Sequence, residues 1–140
     1  MNPSFSHLAS TSGSNSESPL AIKVIMIDLD GTLLDTAEDL ALAANLMLKE
    51  LGMSEQPTST IRSYIGKGIQ KLVKRTLTGQ LDGEPDAALF AKALPIYEHH
   101  YANNLSVHTR PYPGVLEGIQ VMQKIGFKLA CITNKAEAFT

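Results

Sequence analysis

Apolar residues fall along this chain in two kinds of spacing, and the change from one to the other lays out the elements. Residues 24–27 run Val-Ile-Met-Ile and then break into Asp-Leu-Asp-Gly-Thr. An unbroken, β-branched apolar run predicts a strand buried on both faces, as in a parallel sheet. Residues 128–133 predict a second such strand, in which Cys131 reads as a small core residue. Between these runs the spacing is helical. Leu40, Ala43, Ala44, Met47, Leu48 and Leu51 form one stripe ending at Gly52, with Asp35 or Thr36 as cap and Glu38 or Asp39 completing a capping box. A short helix is expected near residues 61–65, broken by Gly66-Lys67-Gly68, and a further one carries Ile69, Leu72, Val73, Thr76 and Leu77.

Residues 78–85, with Gly79, Gly83 and Pro85, predict a loop, and Asp86 opens a longer helix to about Asn103. Its inward side is Leu89, Ala93, Ile96, Tyr97 and Tyr101, and Pro95 within it is expected to kink or split it. Arg110-Pro111-Tyr112-Pro113-Gly114 reads as a rigid turn. Val115, Leu116, Ile119 and Met122 give the last helix a buried side, ended by Gly126. A strand, a purely helical stretch and a second strand predict an α/β domain with an all-α insert. The divisions are a disordered tail at 1–20, the first part of the α/β core at 21–36, the insert at 37–105, and the resumed core at 106–140.

Composition narrows the function classes. A chain of 140 residues holds one modest domain, and its net charge of −2 with no basic cluster gives no argument for nucleic acid. No apolar stretch approaches the ~20 residues that span a bilayer. Residues 1–19 hold seven serines and a single charged residue, Glu17, without the basic start and apolar segment of a signal peptide. One cysteine fits a reducing compartment, and the chain is read as cytoplasmic. Oligomeric state is not legible.

The acidic end of the first run carries the chemistry. Asp28 and Asp30 are separated by one residue, on one face of a regular strand, and Gly31 permits the turn that must follow. Adjacent carboxylates are costly unless a cation offsets them, and Mg²⁺, which prefers hard oxygens and substrate phosphate, suits the pair. One carboxylate can attack phosphorus while the other moves protons. A calcium loop is excluded by spacing, because the sixth position from Asp28 is Leu33 and not glycine.

Asp28-Leu29-Asp30-Gly31-Thr32-Leu33 resembles the first motif of the haloacid dehalogenase superfamily of phosphatases, and Ile132-Thr133-Asn134 resembles its second. The resemblance implies a Rossmann-like parallel sheet, incomplete in these residues, with the insert at 37–105 as a type-1 cap. It further implies that Asp28 is the nucleophile and Asp30 the general acid/base. Mg²⁺ would be held by the Asp28 side chain and the Asp30 backbone carbonyl, and the Thr133 hydroxyl would contact the phosphoryl group. The segments 62–68, 109–115 and 133–135 resemble the bacterial phosphoglycolate phosphatases within that superfamily. The departure is Lys67, where an asparagine is common.

That branch implies hydrolysis of a small phosphorylated metabolite, 2-phosphoglycolate, through an aspartyl-phosphate. Its alternatives are a sugar-phosphate phosphatase or phosphomutase of the same superfamily, or a non-catalytic fragment. Asn134 and Lys135 are further candidates for phosphate contact, and Gly66, Lys67 and Gly68 for a substrate loop. Arg62 could meet a substrate carboxylate or serve as a surface charge. Adjacent His99 and His100 face different directions on a helix and do not suit a metal pair. The superfamily also needs a lysine and a later acidic pair beyond its second motif. The expectation is therefore an N-terminal portion of a longer enzyme, with these 140 residues alone poorly folded and inactive.

Overall fold

The structure, a computed structural model, describes residues 22–135 and residue 139. The expected tail at 1–20 lies outside the described residues. The chain forms β1 (Val24–Asp28), β2 (Leu34–Asp35), α1 (Ala37–Glu50), α2 (Thr58–Arg62), α3 (Gly68–Thr78) and α4 (Ala87–Asn103). It continues with β3 (Arg110–Pro111), α5 (Val115–Ile125) and β4 (Lys128–Ile132). β1 and β4 pair in parallel, and β2 and β3 pair antiparallel as a separate short ladder. This is a mixed α/β fold with a parallel sheet.

The core lies in the helical layer. Met47, Leu48, Ile61, Val73 and Tyr97 are fully buried and belong to one cluster spanning α1 to α4, which excludes water from a continuous apolar interior. Polar groups inside it are mostly paired. The Gln56 side chain donates to the Thr76 carbonyl at 2.7 Å, and its backbone amide donates to Asn45 Oδ1, whose side-chain amide donates back to the Gln56 carbonyl. Arg75, 6% exposed, donates to the carbonyls of Leu81 and Tyr64 at 2.7 Å each, closing the loop after α3. Asp86 caps α4 by accepting from the Ala88 and Leu89 amides at 3.0 Å.

The helix containing Pro95 runs unbroken from Ala87 to Asn103, so the expected split does not occur. Pro95 and Ala91 both face solvent, so the carbonyl that loses its helical partner is open to water. Burial of Ala93, Tyr97 and Tyr101 on the other side, before and after Pro95, packs both halves against the core. The capping box at α1 is also absent: Thr36 makes no side-chain cap, and Asp35 Oδ1 accepts from the Ala37 amide at 3.3 Å.

The α/β layer is far less covered than the apolar runs predict. In β1, Ile25 and Ile27 are partly buried while Val24 is 46% and Met26 63% exposed. Cys131 is exposed, not a core residue, and α5 has no buried residue, Leu116 being 58% exposed. The reason is geometric. A strand is buried on both faces only when layers cover both and neighbours flank it, and among the described residues the sheet has two strands.

The predicted rigid turn at 110–114 begins instead as β3, with Arg110 opposite Asp35 and Pro111 opposite Leu34. Tyr112 N–H donates to the Leu33 carbonyl at 3.1 Å and extends that contact. The chain thus crosses between its layers twice, side by side. Asp39 ties the crossings to α1: its carboxylate accepts from the His108 and Thr109 amides at 2.8 Å each and from the Thr109 hydroxyl at 2.6 Å. Burial pushes this carboxyl up, but the three hydrogen bonds and the nearby His108 outweigh that and hold it below its ordinary value. A depressed carboxyl stabilises the fold above its unfolded value of 3.8 and ceases to do so as pH falls through the folded value. Asp39→Ala is expected to lose about 3 kcal/mol at neutral pH by stranding these donors. Urea titration of both proteins checks this, and the difference should shrink below about pH 4.

Candidate active site

Parallel pairing puts the two motifs at the same end of the sheet. Asp28 is the register partner of Ile132, so Thr133 follows β4 where Leu29 follows β1. The loop after β1 is closed on itself: the Leu29 carbonyl accepts from the amides of Thr32, Leu33 and Leu34, and Gly31 N–H donates to the Leu34 carbonyl at 2.8 Å. Gly31 has φ 79°, a conformation that a β-carbon disfavours. This tight loop sets Asp30 under the helical layer while Asp28 stays exposed at the strand end.

The Thr133 hydroxyl accepts from the Lys135 amide at 3.1 Å, which leaves its own proton free to donate. Lys135 does not extend into open solvent. Its ammonium donates to Asp30 Oδ1 at 3.3 Å and to the hydroxyl of Tyr101 on α4. Burial raises the Tyr101 hydroxyl above its ordinary value, and the hydrogen bond from Lys135 works against that rise. Burial pushes Tyr97 up further still; its hydroxyl is buried without a hydrogen-bond partner among the described residues.

Two cavities meet at Asp30. One of about 230 Å³ lies between Asp30 and Gly31 on one side and Arg62, Gly66 and Tyr112 on the other. The second, about 40 Å³, is lined by Asp30, Gly66, Gly68, Asn134 and Lys135 among others. Gly66 therefore faces the same space as the acidic loop, and Asn134 and Gly68 approach each other: a β-carbon on Gly68 would sit 3.9 Å from the Asn134 carbonyl oxygen. Lys67 lies apart from Asp30, lining a cleft with Asn134 and Glu98. His99 and His100 are remote from this region, His99 beside Asn103 and His100 paired with Glu50 at 2.9 Å.

Arg62 meets Asp35 by two contacts, 3.1 and 3.2 Å, at the cavity wall. Neither this pair nor the Lys135–Tyr101 contact is evident from sequence. Asp35 and Arg62 are 27 residues apart, and Tyr101 sits on an apolar helical stripe that reads as core. Asp39 was legible only as part of a capping box, because its true partners lie some 70 residues on.

The sequence profile of the haloacid dehalogenase-like hydrolases matches residues 25–140. The chain belongs to this family. It is 67% identical over 122 residues to a phosphoglycolate phosphatase of Nitrosospira multiformis, spanning 87% of this chain and 54% of that protein. A phosphoglycolate phosphatase of Thiobacillus denitrificans is 57% identical over the same shares. The crystal structure of a predicted phosphoglycolate phosphatase from Haemophilus somnus superposes with a TM-score of 0.73 at 31% identity, over 83% of this chain and 53% of that one. The chain therefore spans about half the length of the curated relatives it matches.

At the end of β1, two carboxylates offer hard oxygen donors of the kind Mg²⁺ takes together with a phosphate. Among the described residues no group of three or more His, Cys, Asp and Glu side chains gathers to hold a metal. Asp28 and Asp30 fit part of such a site. No described helix is long and apolar enough to cross a membrane.

The glycines beside the cavity give a direct test of the loop's backbone. Gly68 has φ 78°, and the space for a methyl group is ordinary. Gly68→Ala should therefore cost about 1–2 kcal/mol from backbone strain alone, read as a shift of the urea midpoint with an unchanged slope.

Proposed function

We propose that the protein carrying this chain hydrolyses a small phosphomonoester, 2-phosphoglycolate, through an aspartyl-phosphate on Asp28. The observation that carries this reading is the register that sets Asp28 opposite Ile132, and so the first acidic loop beside Thr133. The Asp28 carboxylate attacks phosphorus, the ester P–O bond breaks, and Asp30 protonates the departing alkoxide. Asp30 then takes a proton from the water that hydrolyses the acyl phosphate, which returns free phosphate and restores Asp28. Thr133, with backbone amides at Leu29 and Asp30, orients the phosphoryl oxygens. The Asp28 side chain and the Asp30 backbone carbonyl would hold Mg²⁺, which would supply positive charge against the phosphate.

The helical layer acts as a cap over this site, excluding water and selecting substrate. The cavity of about 230 Å³ against Gly66 and Arg62 favours a short substrate. Arg62, already forked on a carboxylate of its own chain, has the geometry to take a second carboxylate from the substrate. The phosphoglycolate phosphatases among the relatives, at up to 67% identity, support that choice. The reading also places the protein in the cytoplasm, with a small metabolite as its partner.

The test joins this chain to the remaining C-terminal part of the Nitrosospira multiformis relative and assays phosphate release. Hydrolysis of 2-phosphoglycolate is expected. EDTA should abolish it and added Mg²⁺ restore it. Asp28→Asn should lower kcat by about 10⁴-fold or more, as loss of a covalent nucleophile does. A normal rate in that variant overturns the nucleophile assignment. A panel including hexose phosphates reads the substrate, and faster turnover of those than of 2-phosphoglycolate replaces it with a sugar phosphate.

A further inference from the structure

Three parts of the chain converge on the ammonium of Lys135. Asp30 Oδ1, from the loop after β1, accepts from it at 3.3 Å. The hydroxyl of Tyr101, from α4, accepts from it as well, and the centroid of the same ring lies 4.9 Å away. The side chains of Lys135 and Asp30 are 9% and 20% exposed. A lysine withdrawn this far from water requires charged or polar partners.

The tyrosine is itself held. Tyr101 is 2% exposed, its ring stacked on Tyr97 at 5.9 Å and tilted against Phe139 at 5.2 Å. From the other side, the Lys135 amide is fixed on Thr133 Oγ1, so the chain turns back toward the acidic loop as it leaves β4. The ammonium joins a rigid aromatic group in the helical layer to a carboxylate in the α/β layer.

We propose that Lys135 is a positioning residue that clamps the Asp30 carboxylate to Tyr101, and so makes the orientation of Asp30 depend on the seating of α4. This rests on the reading of Asp30 as the acid/base. A lysine suits the task because its three ammonium donors rotate freely and can serve two oxygens at once. The clamp differs in kind from phosphate binding: a lysine that holds substrate phosphate sets affinity, whereas one that orients the acid/base sets the chemical rate.

The contact can be read without any turnover. Brief acetylation of the joined protein described above with acetic anhydride, followed by peptide mass spectrometry, compares the Lys135 amine with the exposed Lys23 and Lys128. Lys135 is expected to react about tenfold more slowly or less, in keeping with one or more hydrogen bonds to a charged group. Tyr101→Phe, which removes only the hydroxyl, and Asp30→Asn should each return much of that reactivity. Labelling of Lys135 as fast as Lys128, or no change in either variant, overturns the clamp.

Kinetics of the joined protein described above test the positioning. Lys135→Met and Tyr101→Phe should each lower kcat by about a hundredfold, the scale of a small misplacement, with KM within roughly twofold. Lys135→Arg should recover part of kcat. A raised KM with kcat preserved in Lys135→Met, and no effect of Tyr101→Phe, would assign Lys135 to phosphate and overturn the proposal. Absence of turnover before any substitution would strike the phosphatase reading instead, and the labelling then decides the clamp by itself.

Discussion

The buried carboxylate of Asp39 is the constraint on which the arrangement of the two layers rests. A charge taken out of water is tolerated only where hydrogen bonds replace its hydration. Here the replacements all come from His108 and Thr109, far along the chain. Satisfying Asp39 draws the returning segment against the start of α1. Once that segment is there, Arg110 and Pro111 lie beside Asp35 and Leu34 and form the β2–β3 ladder. The helical layer is then held at both of its connections, and Gly66 and Arg62 come to face the acidic loop across one cavity.

The same logic of compensated charge governs the strand ends. Asp28 and Asp30 are separated in the chain by one residue, and the structure gives them unequal surroundings. Asp28 is exposed and keeps its hydration; Asp30 is drawn under the helices and finds Lys135. The Tyr97 hydroxyl has no partner among the described residues while that of Tyr101 is engaged, so the apolar layer meets the polar site at Tyr101. Two carboxylates two residues apart are thereby given different surroundings, which is the condition for giving them different chemical roles.

Much of this was legible beforehand. The helical stripes of α1, α3 and α4 follow a period of 3.6, and the residues they place inward, such as Met47, Val73 and Tyr97, are buried. Asp28, Asp30 and Thr133 stood out because chemistry-bearing residues directly followed apolar runs. The misreadings share a cause. Cys131 and Met26 were expected inside because an unbroken apolar run reads as a strand covered on both faces, and the described residues do not supply that cover. Pro95 was expected to break α4 because its missing donor is a local fact, whereas the tolerance of that loss depends on which side of the helix meets water.

Most of the elements, the family and the candidate reacting groups could be read from the chain, because periodicity, turn chemistry and a short motif are local properties. Tertiary structure alone decided who meets whom. It paired Asp39 with His108 and Thr109, set Arg62 on Asp35, and brought Lys135 to Asp30 and Tyr101. Each of these contacts joins residues at least 27 positions apart. Ion pairs and hydrogen bonds at such separations leave no periodic trace, since they depend on how packed layers bring distant segments within a few ångströms of one another.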